Sequence, residues 1–447
     1  MKIPEILQIE TPHSPGSLAS VLNVLAERGL VLEHVSSVRR DQDRTLWEIT
    51  VEIDTEAHLG LVERLNALPS ARFIGWSDRV FDRHRHGKIE MRSRVAISTQ
   101  QILRDIYTPG VARVCLAIHA DAEKVFEYTY LGRAVAIVTD GSAILGLGNI
   151  GPRAGLPVME GKSALFASLV GISGIPILIE SGELDHFVDV VCSIAPSFGA
   201  ILLEDISAPR CFEIEHKLRS RLSMPVLHDD QHATAVVVLA ALLNATRQIG
   251  VRVDTLRVGV VGLGAAGLGI ARLLHAHGVK QLLGADLRAE AIGRLTQLHG
   301  QHESLEGIMA RADAVICTTG AKDLIAPGQI RPGQIIFALS NPDPEIDPVV
   351  ALAAGAAIAA DGKSINNVLC FPGLFDAALR ARARAFTDAM LVAAANALAA
   401  AAPGGQLLPD PLEPSIHERV SQAVQAAVVR AARAPREEGG RPESAAQ

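Results

Sequence analysis

The sequence lacks long apolar runs, paired-cysteine motifs and a surplus of positive charge. Its most apolar stretches, near 233–243 and 349–360, fall short of the roughly 18 residues that a membrane-spanning helix requires. None of the five cysteines forms a Cys-x-x-Cys pair, which argues against a disulfide framework or a thiolate zinc site and favours a reducing compartment. A net charge of -7 argues against nucleic acid or an anionic membrane as partner. We therefore expect a soluble cytoplasmic protein with neither partner.

The composition and the local patterns indicate several globular domains. The chain has 447 residues, of which 49% are hydrophobic, enough for more than one buried core. At the N-terminus, strand and helix patterns follow the order βαββαβ, with Trp47, Ile49 and Val51 alternating on one face of the third strand. This order predicts a ferredoxin-like domain over residues 1–84, with its last strand over 72–81 and a charged linker over 82–94.

The remainder of the chain reads as α/β structure. From Ala134 onward apolar strand patterns alternate with helical ones, which predicts parallel sheets. A break in the pattern near Asp230 divides this part into domains over 85–230 and 231–430. Residues 431–447 are poor in apolar side chains, and we predict a disordered tail there.

A dinucleotide fingerprint follows the strand Leu256–Val261. It reads Gly262-Leu263-Gly264-Ala265-Ala266-Gly267 and opens a helix, while the next strand ends at Asp286. The glycines let backbone N–H groups approach a pyrophosphate, and the acid about 20 residues on can accept the ribose hydroxyls. A plain strand-to-helix turn is the alternative. We predict a Rossmann-type domain that prefers NAD, with NADP as the alternative because Arg288 lies two residues beyond the acid.

Two acidic pairs, Glu204-Asp205 and Asp229-Asp230, each follow an apolar strand. Ligands in parallel α/β sheets bind at such strand ends, and carboxylates without thiolates suit Mg²⁺ or Mn²⁺. Helix capping or surface acids are the alternative for each pair. The histidines at 228 and 232 could suggest zinc, but we read Asp229-Asp230 as a loop before a helix that starts at Ala233.

One lysine and one tyrosine are candidates for proton transfer. Lys162 stands at the start of an apolar helix predicted over Gly161–Leu169. Burial lowers the pKa of a lysine and makes it usable as a base. Tyr107 precedes Pro109 at a helix break, where its phenol could face a cleft; an ordinary core tyrosine is the alternative.

The motifs, taken in order, resemble the malic enzyme family in its short bacterial form over roughly residues 88–430. The N-terminal segment from His13 to Leu18 resembles that of an ACT domain. The motifs of the family resemblance are Tyr107–Ala112, Val138–Gly141, Gly146–Gly151, Met159–Lys162, Leu203–Asp205, His228–His232, Ser340–Pro342, Asn366–Val368 and Phe371–Gly373.

The resemblance implies oxidative decarboxylation of malate to pyruvate and CO₂, with NAD(P) and Mg²⁺ or Mn²⁺. It makes Lys162 the general base, with Asp229 beside it, and Tyr107 the general acid. It also implies a homodimer or higher homo-oligomer and an amino-acid effector near His13–Ser17. The metal ligands would be Glu204, Asp205 and Asp230, and Asn341 and Asn367 would contact substrate or the nicotinamide ribose.

Two departures from the family pattern bear on the site. Ala233 stands where the family usually has glycine, and Ser142-Ala143 stands where larger members place an arginine for the substrate carboxylate. The group that clamps the distal carboxylate of malate is therefore open. Two other functions compete: a catalytically inactive amino-acid-binding regulator, and another dehydrogenase acting on an amino acid or folate.

Overall fold

The computed structural model describes residues 3–53, 60–77, 79–180 and 182–433. The chain forms two compact units, residues 1–88 and residues 89–447. None of the helices within the described ranges combines the length and the apolar character needed to cross a membrane.

The N-terminal unit is an antiparallel sheet with two helices sharing its core. Its strand order is β2-β3-β1-β4. Leu7 and Ile9 of the first strand alternate with polar neighbours and are fully buried, and they pack with Leu25 of the first helix. The elements are β1 (Ile3–Pro12), α1 (Ser17–Glu27), β2 (Leu32–Arg40), β3 (Arg44–Ile53), α2 (Leu61–Asn66), β4 (Arg72–Ser77) and α3 (Arg79–His84).

The predicted end of this unit is wrong in one respect. The last strand stops at Ser77, and residues 79–84, predicted as strand end and linker, form α3. Asp82 in the first turn and Arg83 and His84 in the last turn complement the helix dipole, a local signal that the alternation of apolar residues obscured.

The second unit contains two parallel sheets, as predicted. The first has the order β6-β5-β7-β8, and the second has the order β11-β10-β9-β12-β13-β14. The strands are β5 (Ala134–Thr139), β6 (Ser173–Leu178), β7 (Ala200–Leu203), β8 (Val226–His228), β9 (Arg257–Val261), β10 (Gln281–Ala285), β11 (Gln301–His302), β12 (Ala314–Cys317), β13 (Ile335–Ala338) and β14 (Ile358–Asp361).

One long buried helix, Asp229–Gln248, joins the two sheets. Sixteen of its residues are buried, and its side chains share a single core with strands of both sheets. The helices are α4 (Gln100–Ile106), α5 (Val111–Ala120), α6 (Val125–Tyr128), α7 (Pro152–Val170), α8 (Leu184–Ile194), α9 (Arg210–Arg221), α10 (Asp229–Gln248), α11 (Ala265–His277), α12 (Ala289–Gln297), α13 (Leu305–Arg311), α14 (Pro348–Ala353), α15 (Phe371–Arg380), α16 (Asp388–Ala401) and α17 (Pro414–Arg433).

The disordered tail predicted over 431–447 is wrong for its first three residues. Residues 431–433 belong to α17, which packs against α15 and α16. The rest of the predicted tail, 434–447, lies outside the described residues.

Candidate active site

The two acidic pairs meet at neighbouring strand ends. β7 and β8 are paired in parallel, with Leu203 opposite His228, so the residues that follow both strands share one edge of the sheet. Carboxylate oxygens of Glu204, Asp205 and Asp230 lie within 4.8 Å of one another. The first two side chains are buried and the third is half-buried. The trio predicted as metal ligands is therefore brought together.

The electrostatics of this trio fit a hard divalent cation. Within the trio, one oxygen each of Glu204 and Asp205 is buried without a hydrogen-bond partner, a costly arrangement for an ionised carboxylate. Burial raises the pKa of Asp205 to about 7, and the neighbouring Asp230 adds to the rise. Burial also raises the pKa of Glu204, although Lys162 opposes it. Unsatisfied oxygens crowded around one point are the donors that Mg²⁺ and Mn²⁺ prefer.

Lys162 lies against these carboxylates. Its Nζ is 3.1 Å from Glu204 Oε1, it donates a hydrogen bond to Asp229 Oδ2, and it stands 4.4 Å from the ring centroid of Phe371. Burial alone would lower the pKa of Lys162, but Asp229 and Glu204 outweigh that effect and raise it. Asn367 Nδ2 also donates to Asp229 Oδ2 at 2.6 Å.

The position of Lys162 on its helix differs from the prediction. α7 runs from Pro152 to Val170, so the lysine lies in the middle of the helix rather than at its start. Pro157 inside the helix hid its first half from a reading that treats proline as a helix boundary. The buried lysine is therefore held by its carboxylate partners, without a contribution from the helix N-terminus.

Asp229 and Asp230 also lie differently from the prediction. They form the first turn of α10, where the positive end of the helix dipole stabilises carboxylates, instead of a loop before Ala233. His232 faces away from the trio, and its Nε2 lies 2.8 Å from Glu215 Oε1. Among the described residues the one candidate cluster of metal ligands is the carboxylate trio.

A cavity of about 500 Å³ opens onto the trio. Its wall carries the predicted base, the predicted ligands and the predicted amides together. Within it the site residues are Lys162, Glu204, Asp205, Asp230, Ala265, Ala266, Asn341 and Asn367.

A second cavity of about 730 Å³ adjoins the first and follows the carboxyl ends of the second sheet. Gly262, Gly264 and Asp286 line it, and Ala208 and Thr318 line both cavities. It lies where the strand order reverses between β9 and β12, the usual ligand crevice of such sheets. A dinucleotide bound here could extend into the cavity that holds the lysine.

The glycine turn brings neighbouring backbone segments very close to each other. Gly262 has φ +87°, and a Cβ there would lie 2.7 Å from the carbonyl oxygen of Thr318. A Cβ on Gly267 would lie 1.9 Å from the carbonyl oxygen of Gly262. The side chain of Leu263 is buried, and its N–H donates to Asp286 Oδ2 at 2.7 Å. The turn therefore tolerates no side chain at its first and last glycines.

Asp286 is held by Arg288 as well as by the turn. The Arg288 backbone N–H donates to Asp286 Oδ1 at 2.9 Å, and its Nε does so at 3.2 Å. Burial opposes, but these bonds lower the pKa of Asp286, so the group is ionised at neutral pH. The acid and the arginine thus form one pair at the wall of the second cavity.

Tyr107 is a predicted catalytic residue that the chain does not bring to this cavity. Its side chain is 71% exposed, and it does not line either cavity. Neither α4 nor α5, the helices that flank it, has a buried residue, and Leu116 on α5 is 67% exposed. The tyrosine and its flanking helices thus present apolar surface to their surroundings.

Ser142, which stands at the family's arginine position, has a structural contact. Its Oγ donates to Asp140 Oδ1 at 2.5 Å and accepts the N–H of Ser207 at 2.9 Å. Arg210 Nε donates to the other oxygen of Asp140 at 3.0 Å. Lys162 is the only cationic side chain among the residues that line the first cavity.

Sequence reasoning missed several residues around the site. The sequence places Phe371 in a motif without indicating its contact with Lys162, and it gives Thr318 and Glu215 no motif of their own. The apolar strand that ends at Cys317, one of the parallel set, was the available signal for Thr318. No local pattern indicates the partner of His232.

Two domain families match the chain. The family described as "Malic enzyme, N-terminal domain" matches residues 86–219, and "Malic enzyme, NAD binding domain" matches residues 310–433. The chain is 47% identical over 428 residues to NAD-dependent malic enzyme 1 of Bacillus subtilis (strain 168), covering 95% of this chain and 98% of that protein. It is 38% identical over 445 residues to NAD-dependent malic enzyme of Geobacillus stearothermophilus, covering 93% and 91%.

A solved structure is similar to this chain as well. The crystal structure of malic enzyme from Pyrococcus horikoshii Ot3 superposes with a TM-score of 0.76 at 39% identity, covering 79% of this chain and 91% of that one. The fold and the site define an α/β protein with a Rossmann-type dinucleotide-binding domain. The chain belongs to the malic enzyme family.

Proposed function

We propose that this protein converts malate to pyruvate and CO₂ and reduces NAD, with Mg²⁺ or Mn²⁺ bound by Glu204, Asp205 and Asp230. The observation that carries the proposal is the contact of Lys162 with Glu204 and Asp229 in a cavity that adjoins the glycine turn. The NAD-dependent relatives support the same reaction. A regulator without catalysis would not need a buried lysine among four carboxylates.

Lys162 acts as the general base. It takes the proton of the C2 hydroxyl while the hydride leaves C2 for the dinucleotide, which gives oxaloacetate. The negative charges of Asp229 and Glu204 raise the pKa of Lys162. A cation held by the carboxylate trio would offset part of this charge and lower the pKa, which favours the neutral amine that can accept a proton. Asp229 orients the ammonium and is itself oriented by Asn367.

Glu204, Asp205 and Asp230 would hold the divalent cation, which would supply Lewis-acid stabilisation of negative charge on the substrate oxygens. Asn341 and Asn367 line the same cavity and contact the substrate or the nicotinamide ribose. Among the residues that the structure describes, no arginine lines this cavity. This supports recognition of the distal carboxylate of malate by amides and backbone N–H groups.

Tyr107 protonates the enolate at C3 to give pyruvate, and we propose that it does so in a second copy of the chain. Its 71% exposure, its absence from the cavity wall and the bare apolar side chains of α4 and α5 support a homodimer in which this segment covers the partner's site. A phenol exposed to water on an isolated chain could not direct a proton to a buried carbanion.

NAD is the preferred dinucleotide. The ionised Asp286 accepts ribose hydroxyls and repels a 2′-phosphate, although the neighbouring Arg288 reduces the repulsion. The second unit divides into a substrate and metal domain over residues 85–230 and a dinucleotide-binding domain over residues 231–430. The low number of cysteines and the lack of Cys-x-x-Cys pairs suit a protein of the reducing cytoplasm.

The N-terminal unit, assigned to residues 1–84, is an ACT-like regulatory domain of the ferredoxin-like type. The strand order β2-β3-β1-β4 supports this assignment. An amino-acid carboxylate would approach the turn before α1, where Gly16 has φ +87° and His13 Nε2 lies 2.8 Å from Thr45 Oγ1. Promotion of dimerisation alone is the competing role.

The proposal is tested by following absorbance of the reduced nicotinamide with purified protein, malate and Mn²⁺. NAD and NADP are assayed separately, and pyruvate is measured in the same samples. Reduction of NAD with equal formation of pyruvate is expected. Reduction without pyruvate would identify a simple malate dehydrogenase and contradict the decarboxylation.

A further inference from the structure

A buried glutamate outside both cavities joins the two loops that lie between them. Glu345 is fully buried, and it follows β13 in the chain by seven residues. Its carboxylate accepts four hydrogen bonds, two from Thr319 and two from Ser340. Thr319 follows β12 and Ser340 follows β13, two neighbouring parallel strands. One side chain therefore holds two adjacent strand ends.

The hydrogen-bond directions show that the Glu345 carboxylate is an acceptor in each of its contacts. Ser340 Oγ accepts the N–H of Gly320 at 2.7 Å, so its own hydrogen goes to Glu345 Oε1 at 2.5 Å. Thr319 Oγ1 accepts the N–H of Ala321 at 3.1 Å, and its hydrogen goes to the same oxygen at 2.8 Å. Backbone N–H groups supply the other two bonds. The carboxylate therefore serves as the acceptor in all four bonds.

The loops held in this way border the reacting end of the site. Thr318, beside Thr319, lines both cavities, and its hydroxyl donates to the carbonyl oxygen of Gly262 at 2.9 Å. Asn341, beside Ser340, lines the cavity that contains Lys162. Thr319 itself lines the second cavity, and Ser340 itself lines the first. The glutamate therefore bonds directly to one wall residue of each cavity.

We propose that Glu345 is a positioning residue that fixes the Thr318 and Asn341 loops against each other and thereby aligns the dinucleotide with the substrate. This inference rests on the proposed function for its kinetic consequence, but the loop contacts stand independently of it. The alignment matters because a misplacement of about 1 Å at a reacting centre can reduce the rate by about 100-fold.

Two substitutions grade the loss of acceptors. Glu345→Gln keeps one acceptor oxygen, which can serve the three donors at Oε1, but its amide NH₂ then faces the N–H of Ser340. Glu345→Ala leaves all four donors without this partner. The order of effect should be wild type, then Glu345→Gln, then Glu345→Ala, and a partial rescue by glutamine separates hydrogen bonding from simple filling of space.

Asp376 provides the matched control. It is also a buried carboxylate that accepts a hydroxyl, from Ser421 Oγ at 2.6 Å, but it lines neither cavity. Asp376→Asn should lower thermal stability without altering the reaction, because its contacts join α15 to α17.

The first measurement is hydrogen–deuterium exchange of the full chain, which requires no turnover. In Glu345→Gln, peptides over 316–322 and 338–342 should exchange faster, with the Ser340 amide most affected, by about 10-fold or more as local opening becomes easier. Asp376→Asn should leave these peptides at the wild-type rate. Unchanged exchange in both Glu345 variants overturns the inference, whether or not the wild type oxidises malate.

The second measurement is steady-state kinetics with malate and with malate deuterated at C2. Glu345→Gln should lose about 10- to 100-fold in kcat with a smaller change in KM for malate, and its isotope effect should rise because hydride transfer becomes slower. An unchanged kcat, or an equal loss in Asp376→Asn, overturns the inference. A wild type that does not oxidise malate instead refutes the proposed function, and the exchange result still decides the role of Glu345.

Discussion

The two groups proposed for proton transfer lie in opposite environments. Lys162 is buried among charged partners and held by Asp229, Glu204 and Phe371. Tyr107 is exposed, and the helices on both sides of it have no buried residue. Under the proposed function, the base is positioned by the fold of one chain, whereas the acid is supplied by a second copy. The proposal thus divides one catalytic site between folding and association.

The largest effect should follow from removing the base. Lys162→Ala should lower kcat by about 10²–10⁴-fold, the usual contribution of a positioned acid or base. The measurement is reduction of NAD at saturating malate and Mn²⁺, with circular dichroism to confirm folding. Lys217→Ala, at a lysine on the outer face of α9, is the matched control and should keep wild-type activity. Activity near that of the wild type would remove Lys162 from the mechanism.

The second prediction concerns the exposed acid. Tyr107→Phe should be nearly inactive in forming pyruvate, and Tyr130→Phe, at another exposed tyrosine, should remain active. Mixing unfolded Lys162→Ala and Tyr107→Phe chains and refolding them together should restore about a quarter of wild-type activity. Half of the statistical dimers are mixed, and each of these has one intact site of two. No recovery in a mixture that refolds as dimers would place both residues in the same chain.

The third prediction probes the support behind the metal ligands. Glu215 binds His232 and Gln231 in the first turn of α10, next to Asp230. Glu215→Gln should weaken Mn²⁺ binding by about 10- to 100-fold, as loss of a group that orients metal ligands generally does. Titration followed by Mn²⁺ electron paramagnetic resonance measures this directly. The exposed neighbour Glu213 offers the control Glu213→Gln, and equal affinities in both variants would contradict the role of Glu215.

The same glutamate gives a pH dependence. Burial opposes, but His232 lowers the pKa of Glu215 from 4.5 to about 2. Its contribution to stability is therefore present above pH 4.5 and is lost as the pH falls towards 2. The difference in melting temperature between wild type and Glu215→Gln should shrink from pH 6 to pH 3, and a constant difference would show that the carboxylate has no depressed pKa.

A smaller effect is expected at the dinucleotide pair. Asp286→Ser removes the acceptor of the ribose hydroxyls and frees Arg288, so the ratio of kcat/KM for NAD to that for NADP should fall by about 10-fold or more, as for one lost charge-assisted hydrogen bond. Asp254→Asn, which changes a surface pair with Arg252, is the control. An unchanged ratio would mean that selectivity lies elsewhere.

The smallest effect should come from the N-terminal unit. A thermal-shift screen of amino acids should identify a ligand that alters malate kinetics by an amount equivalent to about 1–3 kcal/mol of coupling. Removal of residues 1–88 should abolish this response. If no compound shifts the melting temperature and the truncated protein retains its kinetics and oligomeric state, the unit is not regulatory.

Strand ends are predictable from the sequence because short apolar runs precede the acids at 204–205 and 229–230. Helix starts are harder to predict. Pro157 conceals the beginning of α7, and the loop predicted at Asp229 is the first turn of α10. The contacts of Glu215 and Glu345 could not be predicted, because they join residues across 17 and 26 positions through tertiary packing. The exposure of Tyr107 depends on what surrounds the chain, which no local pattern encodes.

The most direct test of the central claim is the product stoichiometry of the wild-type enzyme as Mn²⁺ is titrated into metal-free protein with malate and NAD. The account predicts one pyruvate for each reduced NAD, both rising together with bound Mn²⁺, and neither product in chelator or in Asp205→Asn. Reduction of NAD in chelator at the wild-type rate, or accumulation of oxaloacetate without pyruvate, would contradict the assignment of the carboxylate trio.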